Sequence, residues 1–250
     1  MECLKEQKWE NDESSILKII DEIRDGYLAS NETIKITDYG SGNPTSRRSN
    51  QQMHEGVIKK ETVSEVCKRA STKNKWGQLI FKLIRDFKPE NCLELGTCLG
   101  ISGAYQVSAL KLNGKGQFIT VEGSPEIAKI ADNGLKKLNY QGYKVNVGRF
   151  FDVLPKILSK NNLIDFVFID GHHDKIATKK YYEFIYPYLN ERSIVIFDDI
   201  NWSDGMKEVW KIIHEEGEGI KTSFDFYKWG ICFIDKNKKE SERSFYKIGY

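Results

Sequence analysis

Two short acidic stretches hold the residues best suited to chemistry, Asp170-Gly171-His172-His173 and Asp198-Asp199-Ile200-Asn201. Each directly follows an apolar run of strand length, Ile164–Ile169 and Ser193–Phe197. Such near-continuous runs suit parallel strands covered on both faces. In a parallel sheet the ligand crevice lies at the strand C-terminal ends, so Asp170, Asp198 and Asp199 are expected on one rim. Neighbouring carboxylates repel, and a cluster of three needs either bound protons or a cation between them. A hard cation with oxygen ligands, Mg²⁺ first of all, fits aspartates. Bound to a hydroxyl, such an ion lowers the hydroxyl's pKa. A histidine, His172 or His173, then suits removal of the proton, the ordinary imidazole pKa being about 6.5.

A second constellation lies upstream in Glu90–Gly103, ENCLELGTCLGISG. Cys92, Leu93 and Leu95 form a short strand that runs into the loop Gly96-Thr97-Cys98-Leu99-Gly100. Ile101, Ala104, Val107 and Leu110 then repeat at helical spacing. Strand, glycine turn and helix make the first unit of a nucleotide-binding α/β domain, because glycine lets the backbone turn tightly and approach a ligand closely. The next strand, Gln117–Val121, ends at Glu122, whose carboxylate can accept from both hydroxyls of a ribose. Ser124-Pro125 opens the following helix. A third strand, Tyr143–Val147, leads into Gly148-Arg149-Phe150-Phe151-Asp152.

With Glu94 two residues before Gly96, ELGTCLG resembles motif I of the class I S-adenosylmethionine-dependent methyltransferases. The resemblance covers roughly residues 75–235. It implies an α/β, Rossmann-like fold: a seven-stranded, mostly parallel sheet with a reversed last strand and helices on both faces. The two short strands Ser223–Tyr227 and Ile231–Ile234, joined through Lys228-Trp229-Gly230, suit that reversed edge. By position, the cofactor S-adenosyl-L-methionine would meet Glu94, Gly96, Thr97, Gly100, Ser102, Glu122, Gly123, Arg149, Phe150, Asp152 and Asp170. Phe150 or Phe151 would stack on the purine, and Asp152 would take a proton of its exocyclic amine.

IDGHH followed by IVIFDDINW is similar to the divalent-metal-dependent O-methyltransferases of the catechol, caffeoyl-CoA and macrolide- or aminocoumarin-sugar groups. The resemblance implies Asp170, Asp198 and Asp199 as ligands of the cation. The general base falls at His173 by the catechol-type spacing, where those enzymes usually have lysine. It falls at His172 by the sugar-type spacing, where aspartate is usual. The activity so implied is methyl transfer to a hydroxyl of a small-molecule acceptor.

These residues need elements to hold them. Residues 1–74 read as a helical extension or lid, and 75–250 as the methyltransferase domain. From Ser14, with Ser14 or Ser15 as cap, Ile16, Ile19, Ile20, Ile23 and Tyr27 share one helix face. That face must dock on the domain or on a second subunit, and a homodimer through the N-terminal helices is expected. Thr33–Asp38 alternates as a strand and ends in Tyr39-Gly40-Ser41-Gly42. With no helix after it, this is an exposed loop or a lid in which Arg47 or Arg48 meets an anionic ligand group. Helices follow over Thr62–Ala70 and Trp76–Phe87, the second stopped by Pro89. Further helices are marked by Ile176 to Leu189 and by Met206, Val209, Trp210 and Ile213. Trp202 and Trp229 are expected at the mouth of the acceptor pocket. His54 and His214 read as surface or helix residues without partners, and Asp235–Arg243 as a solvated charged tail.

The 250 residues can bury a sizeable core, and the formal net charge is only +2. That balance disfavours nucleic-acid and membrane-surface partners. No apolar run reaches the roughly 18–20 residues of a membrane span, and the polar, acidic N-terminus does not resemble a signal peptide. The five cysteines lack C-x-x-C spacing, which suits reduced thiols in the cytoplasm. Three alternatives stand beside the metal-assisted enzyme. One is metal-independent methylation of nitrogen or a carboxylate, and another is a non-catalytic S-adenosylmethionine-binding protein. The third, a dinucleotide-dependent oxidoreductase, is disfavoured by the glycine spacing and the terminal hairpin.

Overall fold

The computed structural model describes residues 9–43, 45–158, 163–237 and 243–249. Cys3, most of the expected polar N-terminus and the middle of the charged tail lie outside them. The chain opens with α1 (Asn11–Leu28), β1 (Thr33–Asp38), β2 (Gly42–Asn43), β3 (Ser46–Arg47), α2 (Asn50–Glu55), β4 (Val57–Thr62), α3 (Val63–Ala70) and α4 (Asn74–Phe87). Alternation follows: β5 (Asn91–Leu95), α5 (Ile101–Asn113), β6 (Gln117–Glu122), α6 (Pro125–Lys136), β7 (Tyr143–Val147), α7 (Phe150–Leu158), β8 (Ile164–Ile169), α8 (Lys175–Ile185), β9 (Leu189–Phe197) and α9 (Asp204–Glu216). It closes with β10 (Ile220–Asp225), β11 (Gly230–Asp235) and β12 (Ser244–Lys247).

The central sheet has the order β12-β10-β11-β9-β8-β5-β6-β7. Strands β5 to β9 are parallel, and β11 runs antiparallel to both β9 and β10. This is the expected doubly wound sheet with its reversed strand. One strand is added: β12 pairs in parallel with β10, so the described residues give eight strands where seven were expected. The addition shields an edge that would otherwise present unpaired backbone groups.

Period-two alternation sends the strand side chains to two cores. On one face Phe118, Phe166, Phe168, Ile194 and Ile196 meet α4 and α5. On the other Leu95, Val121, Val167, Val195 and Phe197 meet residues of α7, α8 and α9. Helix α1 belongs to the first core: Ile16, Ile20 and Ile23 pack with Trp76, Ile80, Phe81 and Ile84. The apolar face that suggested a dimer is therefore covered within the chain, and the expected boundary at 74/75 crosses one continuous apolar cluster. The cap also differs. Glu10 precedes the helix, its amide donating to Glu13 Oε2 at 3.3 Å, while the Ser15 hydroxyl turns back to the Asn11 carbonyl.

Residues 33–70 add a further layer above the sheet's C-terminal edge. Strand β1 pairs antiparallel with β4, and a capping box of Thr62 and Glu65 starts α3. Ile34, Ile36, Val63, Val66 and Cys67 close over Leu99 of the glycine loop and Ile127 of α6. Neither α2 nor β4 was expected. Val57–Thr62 holds only two apolar residues, and its partner β1 lies a loop and a helix away. No helix among the described residues is long and apolar enough to cross a membrane.

Ile20 is fully buried between α1 and α4. Ile20→Ala is expected to lower unfolding free energy by about 2–5 kcal/mol, read from urea midpoints at fixed protein concentration. An unchanged midpoint would place α1 outside the folding unit.

Candidate active site

The strand tips stay in register beyond the sheet. Gly96 N donates to Val121 O (3.0 Å), Asp170 N to Leu95 O (2.8 Å), Asp198 N to Ile169 O (2.9 Å) and Gly148 N to Glu122 O (2.9 Å). This extended ladder lines up the glycine loop, Glu122, the Asp170–His173 turn and the Asp198-Asp199 pair along one rim. Because β11 is reversed, the segment before it, Tyr227-Lys228-Trp229, returns to the same rim. Ile200 N donates to Lys228 O (3.1 Å) and fixes it there.

The glycine loop is tight for an internal reason. Gly96 has φ +104°, and a Cβ there would stand 1.8 Å from the Asp170 carbonyl oxygen. Gly100 (φ +77°) opens α5 against Ala131. Glu94 is wholly buried beneath this loop. Its carboxyl accepts from Ser102 Oγ, Gln106 Nε2 (3.2 Å) and Thr120 Oγ1 (2.9 Å), and Thr97 Oγ1 pairs with Thr120 Oγ1 at 2.6 Å. Glu94, Thr97 and Ser102 were expected to touch the cofactor. Their side chains point inward and brace the loop from below. Burial pushes the Glu94 carboxyl up to about 8 despite the hydrogen bonds.

Glu122 stands at the rim as expected, and backbone amides already hold it. Cys98 N donates to Oε2 and Ser124 N to Oε1, both at 2.9 Å. Burial outweighs these bonds and raises its pKa to about 7. The Tyr39 ring lies on Gly123, where a Cβ would come within 2.6 Å of it. The Tyr39–Gly42 part of the loop after β1 is thus held against the rim, while Asn43 and Thr45–Arg47 stay exposed. Ser41 donates its amide to His172 O (2.9 Å) and its hydroxyl to His173 O (3.0 Å). Its two arginines are also engaged, Arg48 with Asp38 (2.8 Å) and Arg47 with Asp174. Asp38, held by Arg48 and Lys59 against the effect of burial, lies well below the usual carboxylate range.

In the loop after β7, Arg149 and Asp152 pair with each other at 2.7 and 3.0 Å, and Arg149 also reaches the His54 ring. His54 therefore has a partner. His214 does too, stacked on Phe245 with ring centroids 4.1 Å apart. Phe150 is half-buried against Tyr181 (5.5 Å), whereas Phe151 is 43% exposed. Trp229, expected at the mouth, is 1% exposed and packs on Trp76 and Phe168; Trp202 is exposed.

The acidic rim separates the two histidines. His172 shares a 2.7 Å hydrogen bond with the Tyr181 hydroxyl, and burial lowers its pKa to about 4, so it is neutral near pH 7. His173 points at the carboxylates, with Nε2 3.8 Å from Asp170 and 3.9 Å from Asp199. One donor atom each from Asp170, His173 and Asp198 fall within 4.8 Å of one another. Two carboxylate oxygens and an imidazole nitrogen suit a divalent cation, so this donor set fits the expected metal, with His173 in the place expected for Asp199. Burial and the Asp198 charge push Asp170 well above the usual range. Burial acts the same way on Asp198, but Lys228 and the hydrogen bond from Asp170 overcome it and hold Asp198 low. Lys228 is the residue the sequence reading missed: Nζ lies 2.7 Å from Asp198 and 2.7 Å from Asp199. The usable signal was topological, since a reversed last strand must begin at this rim. His172, His173, Asp199 and Tyr227 all have positive φ (71°, 46°, 53° and 65°), and such backbone strain gathers where surrounding structure enforces a geometry.

Residues 93–200, the span from β5 to the end of the Asp198 turn, match a family model described as a methyltransferase domain. Over that span the chain is similar to a methyltransferase domain. Among solved structures it is similar to an O-methyltransferase from Bacillus cereus in complex with SAH. The two are 23% identical over 67% of this chain and 84% of that one, with a TM-score of 0.58. It is also similar to the O-methyltransferase TomG from Streptomyces achromogenes, involved in tomaymycin synthesis and solved with SAM (19%, 66% and 82%, 0.57). A putative O-methyltransferase from Klebsiella pneumoniae is 17% identical but covers 87% of this chain and 90% of its own, at a TM-score of 0.58. No curated protein matches the chain. These likenesses bear out the Rossmann-like sheet, and the matched span, from β5 to the Asp198 turn, is the part of the chain that builds the rim.

The buried Glu94 makes stability depend on pH with a definite sign. Its folded pKa of about 8 lies above an unfolded value of about 4.3. Between these limits the folded chain keeps a proton that the unfolded chain releases, so stability falls as pH rises. Glu94→Gln is expected to flatten this decline across pH 5 to 9 in urea-midpoint measurements. A mutant profile parallel to wild type would show that Glu94 does not bind this proton.

Proposed function

We propose that this methyltransferase moves a methyl group from S-adenosyl-L-methionine to a hydroxyl of a small molecule, assisted by a divalent cation, Mg²⁺ foremost. The observation that carries the reading is the convergence of Asp170, Asp198 and His173 beside the glycine loop. The bound SAM and SAH in the Streptomyces and Bacillus structures support the donor, and their description as O-methyltransferases supports an oxygen acceptor. In this reading Glu122 and the backbone of Gly96–Gly100 receive the nucleoside and amino-acid parts of the donor. Asp170, His173 and Asp198 hold the cation, which lowers the pKa of the acceptor hydroxyl when bound.

The displacement itself balances simply. An electron pair on the acceptor oxygen forms the new C–O bond. The C–S bond breaks toward sulfur, and the hydroxyl proton leaves to a base. The donor sulfonium is already activated, so alignment supplies most of the acceleration. With His173 ligating the cation, its rim-facing Nε2 is not free to accept, and the proton leaves to water; in the metal-independent reading His173, facing the carboxylates, is the group placed to take it. His172 is anchored to Tyr181 and serves to hold the turn. Four cysteines among the described residues are free thiols, which supports a reducing, cytoplasmic setting.

A second reading rests on a specific observation, the ammonium of Lys228 on Asp198 and Asp199. A methyltransferase with a built-in cation needs no metal to neutralise this pair and could act on nitrogen or a carboxylate.

Mass-spectrometric detection of methylated product over catechol, sugar and carboxylate acceptors, with Mg²⁺ or with a chelator, separates the readings. Metal-dependent methylation of hydroxyls is expected. Asp198→Asn should lower it at least 100-fold, and His173→Gln by about 10²–10⁴-fold. Undiminished turnover in chelator would retire the cation.

A further inference from the structure

The rim contains a cation of its own. Lys228 Nζ stands 2.7 Å from Asp198 Oδ1, 3.0 Å from Asp198 Oδ2 and 2.7 Å from Asp199 Oδ1. Asp198 is therefore shared by two sets of partners, the Asp170–His173 donor set and the lysine. Its burial, with only 6% exposure, leaves little room for solvent ions to serve either. Asp199 differs. It is the more open of the two, does not join the converging donor triad, and faces both Lys228 and His173. A divalent cation entering among Asp170, His173 and Asp198 would bring its charge against the ammonium already seated on Asp198. The two positive charges cannot share that carboxylate without strong repulsion at a poorly solvated site.

We propose that Lys228 is the metal site's resident counter-ion, which gives up Asp198 to an entering divalent cation and withdraws onto Asp199, so that Lys228 sets metal affinity and Asp199 acts as its resting place rather than as a ligand. The inference rests on the metal-assisted reading above. The geometry favours such an exchange. The lysine already contacts both carboxylates, so a small rotation of a flexible four-carbon stem exchanges one partner for the other. The side chain is about one-third exposed, giving it room to move outward. The main chain is held independently, through Ile200 N on Lys228 O and Asn201 Nδ2 on Tyr227 O (2.6 Å), so the exchange does not require the hairpin to shift.

The test is calorimetric titration of Mn²⁺ into the full-length protein, wild type against Lys228→Met, Asp199→Asn and the double variant, with the Mn²⁺ electron paramagnetic resonance signal as a second readout of free metal. Lys228→Met is expected to bind Mn²⁺ at least 10-fold more tightly than wild type. Asp199→Asn should weaken binding several-fold when Lys228 is present and have no effect when it is methionine, the coupling a double-mutant cycle isolates. Equal or weaker binding by Lys228→Met, with wild type binding normally, overturns the inference and leaves the metal-assisted reading intact. Equal weakening by Asp199→Asn in both backgrounds makes Asp199 a ligand and overturns its role as resting place. No Mn²⁺ binding by any variant overturns the inference together with the metal. Should Lys228→Met fail to fold, Lys228→Arg decides. A guanidinium can bridge the two carboxylates with paired hydrogen bonds and is expected to weaken Mn²⁺ binding at least 5-fold, whereas unchanged or tighter binding overturns the proposal.

Discussion

Five carboxyl groups, Glu94, Glu122, Asp170, Asp198 and Asp199, occupy the strand-tip layer of this sheet, where an unmatched charge costs several kcal/mol. The rim is built around ways of meeting that cost. Glu94 keeps its proton and serves as a hydrogen-bonding post under the glycine loop. Glu122 draws on the amides of Cys98 and Ser124. Burial and the Asp198 charge push the Asp170 carboxyl well above its usual range, and Lys228 supplies the positive charge for Asp198 and Asp199. These solutions draw on β5, α5, β6, β8, β9 and the start of β11, so the electrostatics of the site depend on the whole parallel sheet with its one reversed member.

The N-terminal segment is bound into the same arrangement. Leu99, in the glycine loop, is buried by Ile34, Ile36, Val63 and Val66. Ser41 holds the carbonyls of His172 and His173, two residues whose backbone lies in the left-handed region. A non-glycine residue in that conformation costs about 1 kcal/mol or more, and the Ser41 contacts help to hold the turn in it. The segment therefore connects the Glu122 end of the rim, where Tyr39 covers Gly123, with the acidic end. An independent lid would leave this turn unsupported.

The architecture was legible because its signals are local. Buried parallel strands read as IDFVFI and SIVIF, and the helices carried complete apolar stripes. The rim was legible where the strand tips are written in sequence order, at Glu122, Asp170 and Asp198. Three other features were not. Lys228 reaches the rim only through the reversal of β11, so its partners are about 30 residues away. The inward turn of Glu94 depends on Ser102 and Thr120, contributed by a helix and another strand. Trp229 was placed at the pocket mouth and the α1 face was left between the domain and a second subunit, because an apolar pattern shows that a face is buried without showing what buries it. The small N-terminal strands were weak for the opposite reason: β4 holds only two apolar residues and is ordered through its pairing with β1.

The departures at the two histidines take on a physical meaning once Lys228 is placed. The catechol-type spacing puts His173 where the enzymes it resembles usually carry a lysine, and here a lysine reaches the rim from another strand. A lysine between two carboxylates is held as an ammonium, which makes it a poor proton acceptor and a good counter-ion. Imidazole has the reverse balance, since it can accept a proton near neutrality and contributes little fixed charge. Offering a lone pair, to a cation or to a proton, and supplying fixed charge, which one residue cannot serve equally well at one pH, are divided between His173 and Lys228. His172 is fitted to neither role, because its hydrogen bond to Tyr181 and its burial keep it neutral. Its place is structural, and it leaves His173 as the histidine that faces the carboxylates of the rim.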